Sequence, residues 1–215
     1  MNKSIKWKLA QRVELKWWKN YLKNKDINEY SIWKKKYWQD LINQVSDVVK
    51  IENNQVILDA GCGPTGVFMI LDNCKVDAID PLLNEYDKSL SHFNRSHYPN
   101  TNFYSSSIED FTTETKYDTI FCMNAINHVS NLNNSFDKIC DYLKPNGQLL
   151  ITIDAHNFSF FKHIFRLIPG DVLHPHQYDI KEYEQMLTSR ECTIIKNIKL
   201  KKEFFFDHYL LVVKK

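Results

Sequence analysis

One run constrains the fold of this chain more than any other: Val56-Ile57-Leu58-Asp59-Ala60-Gly61-Cys62-Gly63-Pro64-Thr65-Gly66. Apolar residues lead straight into an acid and then a glycine turn. That is the pattern of a buried parallel strand ending at a ligand site. Three of the chain's five glycines lie in this stretch. Gly61 and Gly63 allow backbone to approach a ligand with no Cβ in the way.

Downstream, short apolar runs alternate with polar or helical stretches. Val56–Ala60, Val76–Asp80, Asn102–Ser105, Tyr117–Met123 and Gln148–Asp154 read as strands. A helix over Asn133–Tyr142 is expected to stop near Pro145-Asn146-Gly147, and another helix over Ile180–Thr188. The chain closes on two alternating runs, Thr193–Leu200 and Phe204–Val213. Their short linker predicts an antiparallel hairpin on the sheet edge. Residues 155–179 read as loop or short helix rich in Phe and His. Strands alternating with helices imply β-α-β units. The pattern predicts an α/β fold, a Rossmann-like, doubly wound, mostly parallel seven-stranded sheet with a C-terminal antiparallel hairpin strand. An N-terminal helical arm precedes it, dividing the chain into an arm or lid over 1–52 and a sheet domain over 53–215.

All five tryptophans lie in that arm. From Tyr30, large apolar residues fall at Trp33, Tyr37, Trp38, Leu41, Ile42, Val45, Val48 and Val49, the spacing of an amphipathic helix. An earlier helix is expected over about Leu9–Leu22, with Asp26 and Asn28 in the break. Residues 1–50 carry twelve Lys and Arg against five acids, a charge of +7; the chain total of +2 leaves about −5 for the remainder. Such an arm reads either as a solvated helix face or as the partner of an anionic small molecule, RNA or a membrane surface. Five scattered cysteines without a C-x-x-C pair point to buried thiols in a reducing compartment. With no run of roughly 18 apolar residues and no signal-peptide core, a cytoplasmic protein is expected.

Right-handed crossovers place the strand C-termini on one edge. Asp59, Asp80, Ser107–Asp110 and Asn124 all follow strand ends, so they converge where open α/β sheets bind ligands. Gly61–Gly66 matches the dinucleotide fingerprint G-x-G-x-x-G, with Asp80 about 20 residues on. Two features disfavour a pyrophosphate there. Pro64 removes a backbone donor, and Asp59 sets a carboxylate before the turn. Both suit a ligand with a ribose, no phosphate and a positive charge.

The chain resembles the class I S-adenosylmethionine-dependent methyltransferases over about 55–215. Asp59-Ala60-Gly61-Cys62-Gly63-Pro64-Thr65-Gly66 is similar to the family's first motif, and Asp80 fills its second-strand acid. Ser107-Ile108-Glu109-Asp110 resembles the adenine-holding segment, and Tyr117–Val129 the fourth-strand motif. Leu143-Lys144-Pro145-Asn146-Gly147 resembles the turn into the fifth strand, with Asn146 where glycine is commoner. The resemblance implies a cofactor site of Asp59, Ala60, Gly61, Cys62, Gly63, Asp80, Pro81, Ser107, Ile108, Glu109 and Asn124. Gly61 and Gly63 would lie under the methionine portion, Asp80 on the ribose hydroxyls and Ile108 on adenine. Glu109 or Asp110 would accept from the adenine amino group, with Asn124 at the methionyl end. S-adenosylmethionine would leave as S-adenosylhomocysteine.

A base is needed where the nucleophile arrives protonated. His128, beside the expected methyl position, is the first candidate; His174 and His176 follow, then His156. No carboxylate spacing supports a metal site among these histidines, and no metal is expected. Asn124-Ala125-Ile126-Asn127 departs from the Asn-Pro-Pro-aromatic motif of adenine-methylating DNA enzymes, so no DNA acceptor is expected. A small molecule with an apolar or anionic part is expected, attacked at O, N, S or C. RNA or protein acceptors, a nicotinamide-dependent oxidoreductase and a noncatalytic S-adenosylmethionine-binding protein are the alternative readings.

Overall fold

The structure, a computed structural model, describes residues 3–157, 176 and 178–215. Seven strands form one sheet: β1 Val56–Ala60, β2 Lys75–Ile79, β3 Thr101–Tyr104, β4 Tyr117–Cys122, β5 Leu143–His156, β6 Thr193–Lys202 and β7 Phe206–Lys214. Their order is β3-β2-β1-β4-β5-β7-β6. The first five pair in parallel, and β7 runs antiparallel between β5 and β6. The closing hairpin is therefore present, but its second strand lies inward. Sequence burial explains the choice. Leu210–Val213 is a continuous apolar run with both faces covered, whereas β6 alternates exposed with half-buried residues at the edge.

Among the described residues, five helices flank the sheet: α1 Lys3–Leu22, α2 Ile27–Asn43, α3 Leu83–Ser89, α4 Leu132–Tyr142 and α5 Ile180–Thr188. Asp26 caps α2 by accepting from the N–H groups of Asn28 and Glu29 at 2.9 and 3.0 Å. The apolar period predicted to carry this helix to Val49 outlives it. The cap N–H of Gln44 bonds back to Ile42 and Leu41, closing a tight last turn, yet Val45 and Val49 remain buried on the same face.

The sheet buries a cluster on each face. One holds α2 residues Tyr30, Trp38 and Leu41 with Phe68, Tyr86, Phe121, Leu150 and Leu210; the other holds α4 and α5 residues Phe136, Ile139, Tyr183 and Leu187 with Leu58, Ile120 and Ile151. All five cysteines are buried free thiols.

The turn predicted at Pro145-Asn146-Gly147 is absorbed into β5, which starts at Leu143. Asn146 N–H donates to the Lys215 carbonyl, and Lys215 N–H to the Gly147 carbonyl, so Lys215 extends the ladder beyond β7. Asn146 itself adopts φ +64°, a left-handed conformation that asparagine tolerates. Its presence in place of glycine is thereby explained.

Candidate active site

The glycine run leaves β1 through two short 3-10 turns, Gly63–Thr65 and Val67–Ile70. Gly61 and Cys62 donate their N–H groups to the Ile79 carbonyl, which ties the loop to the end of β2. Gly61 has φ +71°, and a Cβ there would meet the Ala125 Cβ at 2.3 Å. At Gly66 the demand is space alone, since a Cβ would stand 2.5 Å from Asp59 Oδ2. Asp59 is buried and accepts from Phe68 N–H at 3.0 Å. Its carboxylate organises the loop from below. Burial, the largest influence, pushes it up to about pKa 7 against the opposing pull of the Phe68 and Val67 N–H groups and Lys34.

Above the loop, a cavity of about 70 Å³ is lined by Gly61, Asp80, Pro81, Ser107, Ile108, Glu109, Asn124, Ala125, His128 and Val129. Strand ends from across the sheet thus meet at one point. Of the residues expected at the cofactor, Asp59, Ala60, Cys62 and Gly63 do not line this cavity, and Cys62 is buried. Asp80 Oδ1 accepts from Leu82 N–H at 2.8 Å, and Oδ2 from Gly63 N–H at 3.1 Å. Burial first, and Glu14 second, raise Asp80 to about pKa 7. Glu109 Oε1 accepts from the N–H groups of Ser130 and Asn131 and from the Ser130 hydroxyl, holding the approach to α4. Asp110 accepts from Ser107 Oγ at 2.7 Å and does not line the cavity.

Asn124 adopts φ +54°. It donates its N–H to Thr152 Oγ1 at 2.7 Å and accepts from that hydroxyl at 3.0 Å, so β5 fixes its orientation. His128 lies on the short turn Ile126–His128 at the cavity wall. His176 reaches the same loop, its Nε2 2.6 Å from the Val129 carbonyl. His156, by contrast, sits buried at the end of β5 against Phe206. His174 lies outside the described residues. No group of three or more metal-ligating side chains occurs among the described residues.

Several residues at the site escaped the sequence reading. Trp7, Gln11 and Glu14 of α1 close the cavity from above, and Glu14 accepts from Tyr86 Oη at 3.1 Å. Their spacing of four and three residues marks one helix face, the available signal. Outside the cavity lining, the sequence reading also omits the pair of His208 and Asp154, whose Nδ1 and Oδ1 lie 2.6 Å apart. The two residues stand opposite each other on β7 and β5, a pairing that only strand register reveals.

Residues 30–197 match the family model described as "Methyltransferase domain". The chain belongs to the methyltransferase-domain family. Among curated relatives it is similar to the ubiquinone biosynthesis O-methyltransferase of Rickettsia bellii (strain OSU 85-389), 26% identical over 117 residues. That match covers 52% of this chain and 48% of the relative, so the chain spans about half the length of the curated relatives it matches. Two solved methyltransferases share the fold. Magnesium protoporphyrin IX methyltransferase from Synechocystis PCC 6803, with bound SAH, superposes with a TM-score of 0.66 at 14% identity, covering 100% of both chains. The N-methyltransferase NodS from Bradyrhizobium japonicum WM9 gives 0.61 at 13% identity, over 84% of this chain and 95% of that one. The seven-stranded sheet of this methyltransferase-family chain, with its antiparallel β7, is the fold they share.

Proposed function

We propose that this methyltransferase uses S-adenosylmethionine to methylate a small molecule, releasing S-adenosylhomocysteine. The observation that carries the reading is the single cavity where Gly61, Asp80, Ile108 and Asn124 meet at the strand C-termini. The donor set fits the cofactor: an acid for ribose hydroxyls, Ile108 and Val129 as apolar walls for adenine, and carboxylates around a cationic ligand. When bound, S-adenosylmethionine supplies a methyl group activated by a sulfonium.

The protein's own task is then alignment and exclusion of water. Asp80 accepts from the ribose hydroxyls, Gly61 floors the methionine portion, and Asn124 lines its end. Pro81, Ser107 and Glu109 complete the adenosine side. Ala60, Cys62, Gly63 and Asp59 serve from beneath, by holding the loop. Residues 1–52 act as the lid of the 53–215 domain, with Trp7 and Gln11 of α1 over the cavity.

The acceptor is a small molecule with an apolar part. The O-methyltransferase names of the curated relatives support an oxygen nucleophile. A hydroxyl arrives protonated, so a base is required, and His128 at the cavity wall takes that role with His176 bound to the same loop. The buried thiols support a reducing, cytoplasmic setting. No helix among the described residues is long and apolar enough to cross a membrane.

Thermal-shift titration tests the cofactor. S-adenosylhomocysteine is expected to raise Tm and NAD to leave it unchanged; the reverse result overturns the reading. In a methyl-transfer assay over candidate phenolic acceptors, His128→Ala is expected to lose turnover while keeping S-adenosylhomocysteine affinity. Undiminished turnover removes His128 from the mechanism.

A further inference from the structure

Helix α1 carries six cations and one acid, and that acid, Glu14, turns inward to Tyr86. With Trp7, Gln11 and Glu14 over the cavity, the opposite flank of the helix faces out. There Leu9, Val13 and Trp17, spaced four apart and therefore in line, are 43%, 43% and 53% exposed. Beside this apolar line, Lys8, Arg12, Lys16, Lys19 and Lys23 are exposed, and none has an ion-pair partner among the described residues.

Ring contacts join this line to α2 through the buried Tyr30. Trp17 stacks on Tyr21 at 4.8 Å, Tyr21 meets Tyr30 edge-on at 6.0 Å, and Tyr30 contacts Trp33 at 5.6 Å. Trp33 is 51% exposed. Between these rings Lys25 lies over Tyr21 at 4.5 Å. The outer side of the arm is thus a ridge of aromatic and aliphatic side chains bordered by uncompensated cations.

We infer that the outer flank of α1, together with Trp33 of α2, docks this protein on an anionic membrane surface. A bilayer interface offers both matching halves at once: acyl boundary and headgroup carbonyls for Trp17, Trp33 and Val13, and anionic headgroups for the lysines. The charge distribution orients the contact. Residues 1–50 are +7 and the rest of the chain about −5 by difference from +2, so the body is held off the surface that draws the arm in. Because α1 also roofs the cavity, docking sets the mouth of the site at the interface. Docking through this face does not depend on methyl transfer.

The test is co-sedimentation of the full chain with vesicles, either phosphatidylcholine alone or phosphatidylcholine mixed with phosphatidylglycerol. Sedimentation is expected only with the anionic vesicles, weakening as salt rises, with a blue shift of tryptophan emission that Trp17→Ala reduces. The pair Lys16→Glu and Lys19→Glu is expected to lower the partition coefficient by roughly tenfold or more. Val13→Glu is expected to weaken binding at unchanged charge on the lysines. Tm and S-adenosylhomocysteine affinity of each variant report whether the fold and the site are intact. No sedimentation, or equal sedimentation with both vesicles, overturns the inference. So does RNA binding without vesicle binding, or a dimer in light scattering that Val13→Glu dissolves while vesicle binding is absent.

Discussion

At the residue scale Asp80 is already engaged: its two oxygens accept from Gly63 and Leu82 N–H, and a ribose bound as proposed would compete for them. Burial and Glu14 hold it at about pKa 7, so the ionised form that accepts from hydroxyls is depleted as pH falls through neutrality. S-adenosylhomocysteine affinity, measured by calorimetry, is therefore expected to fall between about pH 8 and pH 6. Glu14→Gln keeps an acceptor for Tyr86 but removes the neighbouring charge, and is expected to restore affinity at the acidic end. Asp80→Ala is expected to weaken binding by about 1.5–3 kcal/mol; an unchanged Kd would take Asp80 out of the cofactor site.

Asp80 was legible in the sequence because its position at a strand end depends only on local pattern. Glu14 was not, since its distance of 66 residues from Asp80 is closed by tertiary packing of α1 on α3. The Asp154–His208 pair escaped for the same reason: neither residue sits in a motif, and the pair exists only through the β5–β7 register.

Among elements, α4 and α1 carry the site in different ways. The approach to α4 leans on Glu109, whose one oxygen satisfies two backbone donors and a hydroxyl. Loss of such a capping acceptor costs about 1–2 kcal/mol, so Glu109→Ala is expected to lower Tm by several degrees even without ligand. A variant stable as the parent would show that water replaces the carboxylate. Helix α1 is a cover. The cavity beneath it, about 70 Å³, is far below the roughly 300–1,000 Å³ of a small-molecule site, so α1 is expected to shift when the proposed cofactor binds. Trp7→Ala is expected to speed S-adenosylhomocysteine release in stopped-flow fluorescence. The central parallel strands β1 and β4 were legible because two-sided burial favours near-continuous apolar runs. The inward place of β7 was less so, because a hairpin signal fixes which strands pair and not which of them faces the sheet.

For the molecule as a whole, two buried carboxylates bonded to one loop make stability depend on pH in an uncommon direction. Asp59 and Asp80 are both raised to about pKa 7 from 3.8, so the folded state holds protons that the unfolded chain has lost. Their contribution is complete below about pH 4 and is lost as pH rises through 7. Asp118 and Asp207 shift downward, beside Lys144 and Lys199, so they weaken the fold only in stronger acid. The unliganded protein is expected to melt at a lower temperature at about pH 8 than at about pH 5.5, with a smaller difference in Asp59→Asn. A flat profile would mean that both acids ionise without penalty in the native state.

The place of β7 has a consequence for synthesis. It follows the other six strands of the sheet in chain order, yet it supplies the hydrogen-bonding neighbour of both β5 and β6. While the ribosome still holds residues 206–214, the emerging polypeptide carries two open strand edges at the middle of its future sheet. Nascent chains stalled before Phe206 are thus expected to bind chaperones and to aggregate on release, and only those extended past Lys214 to become protease-resistant.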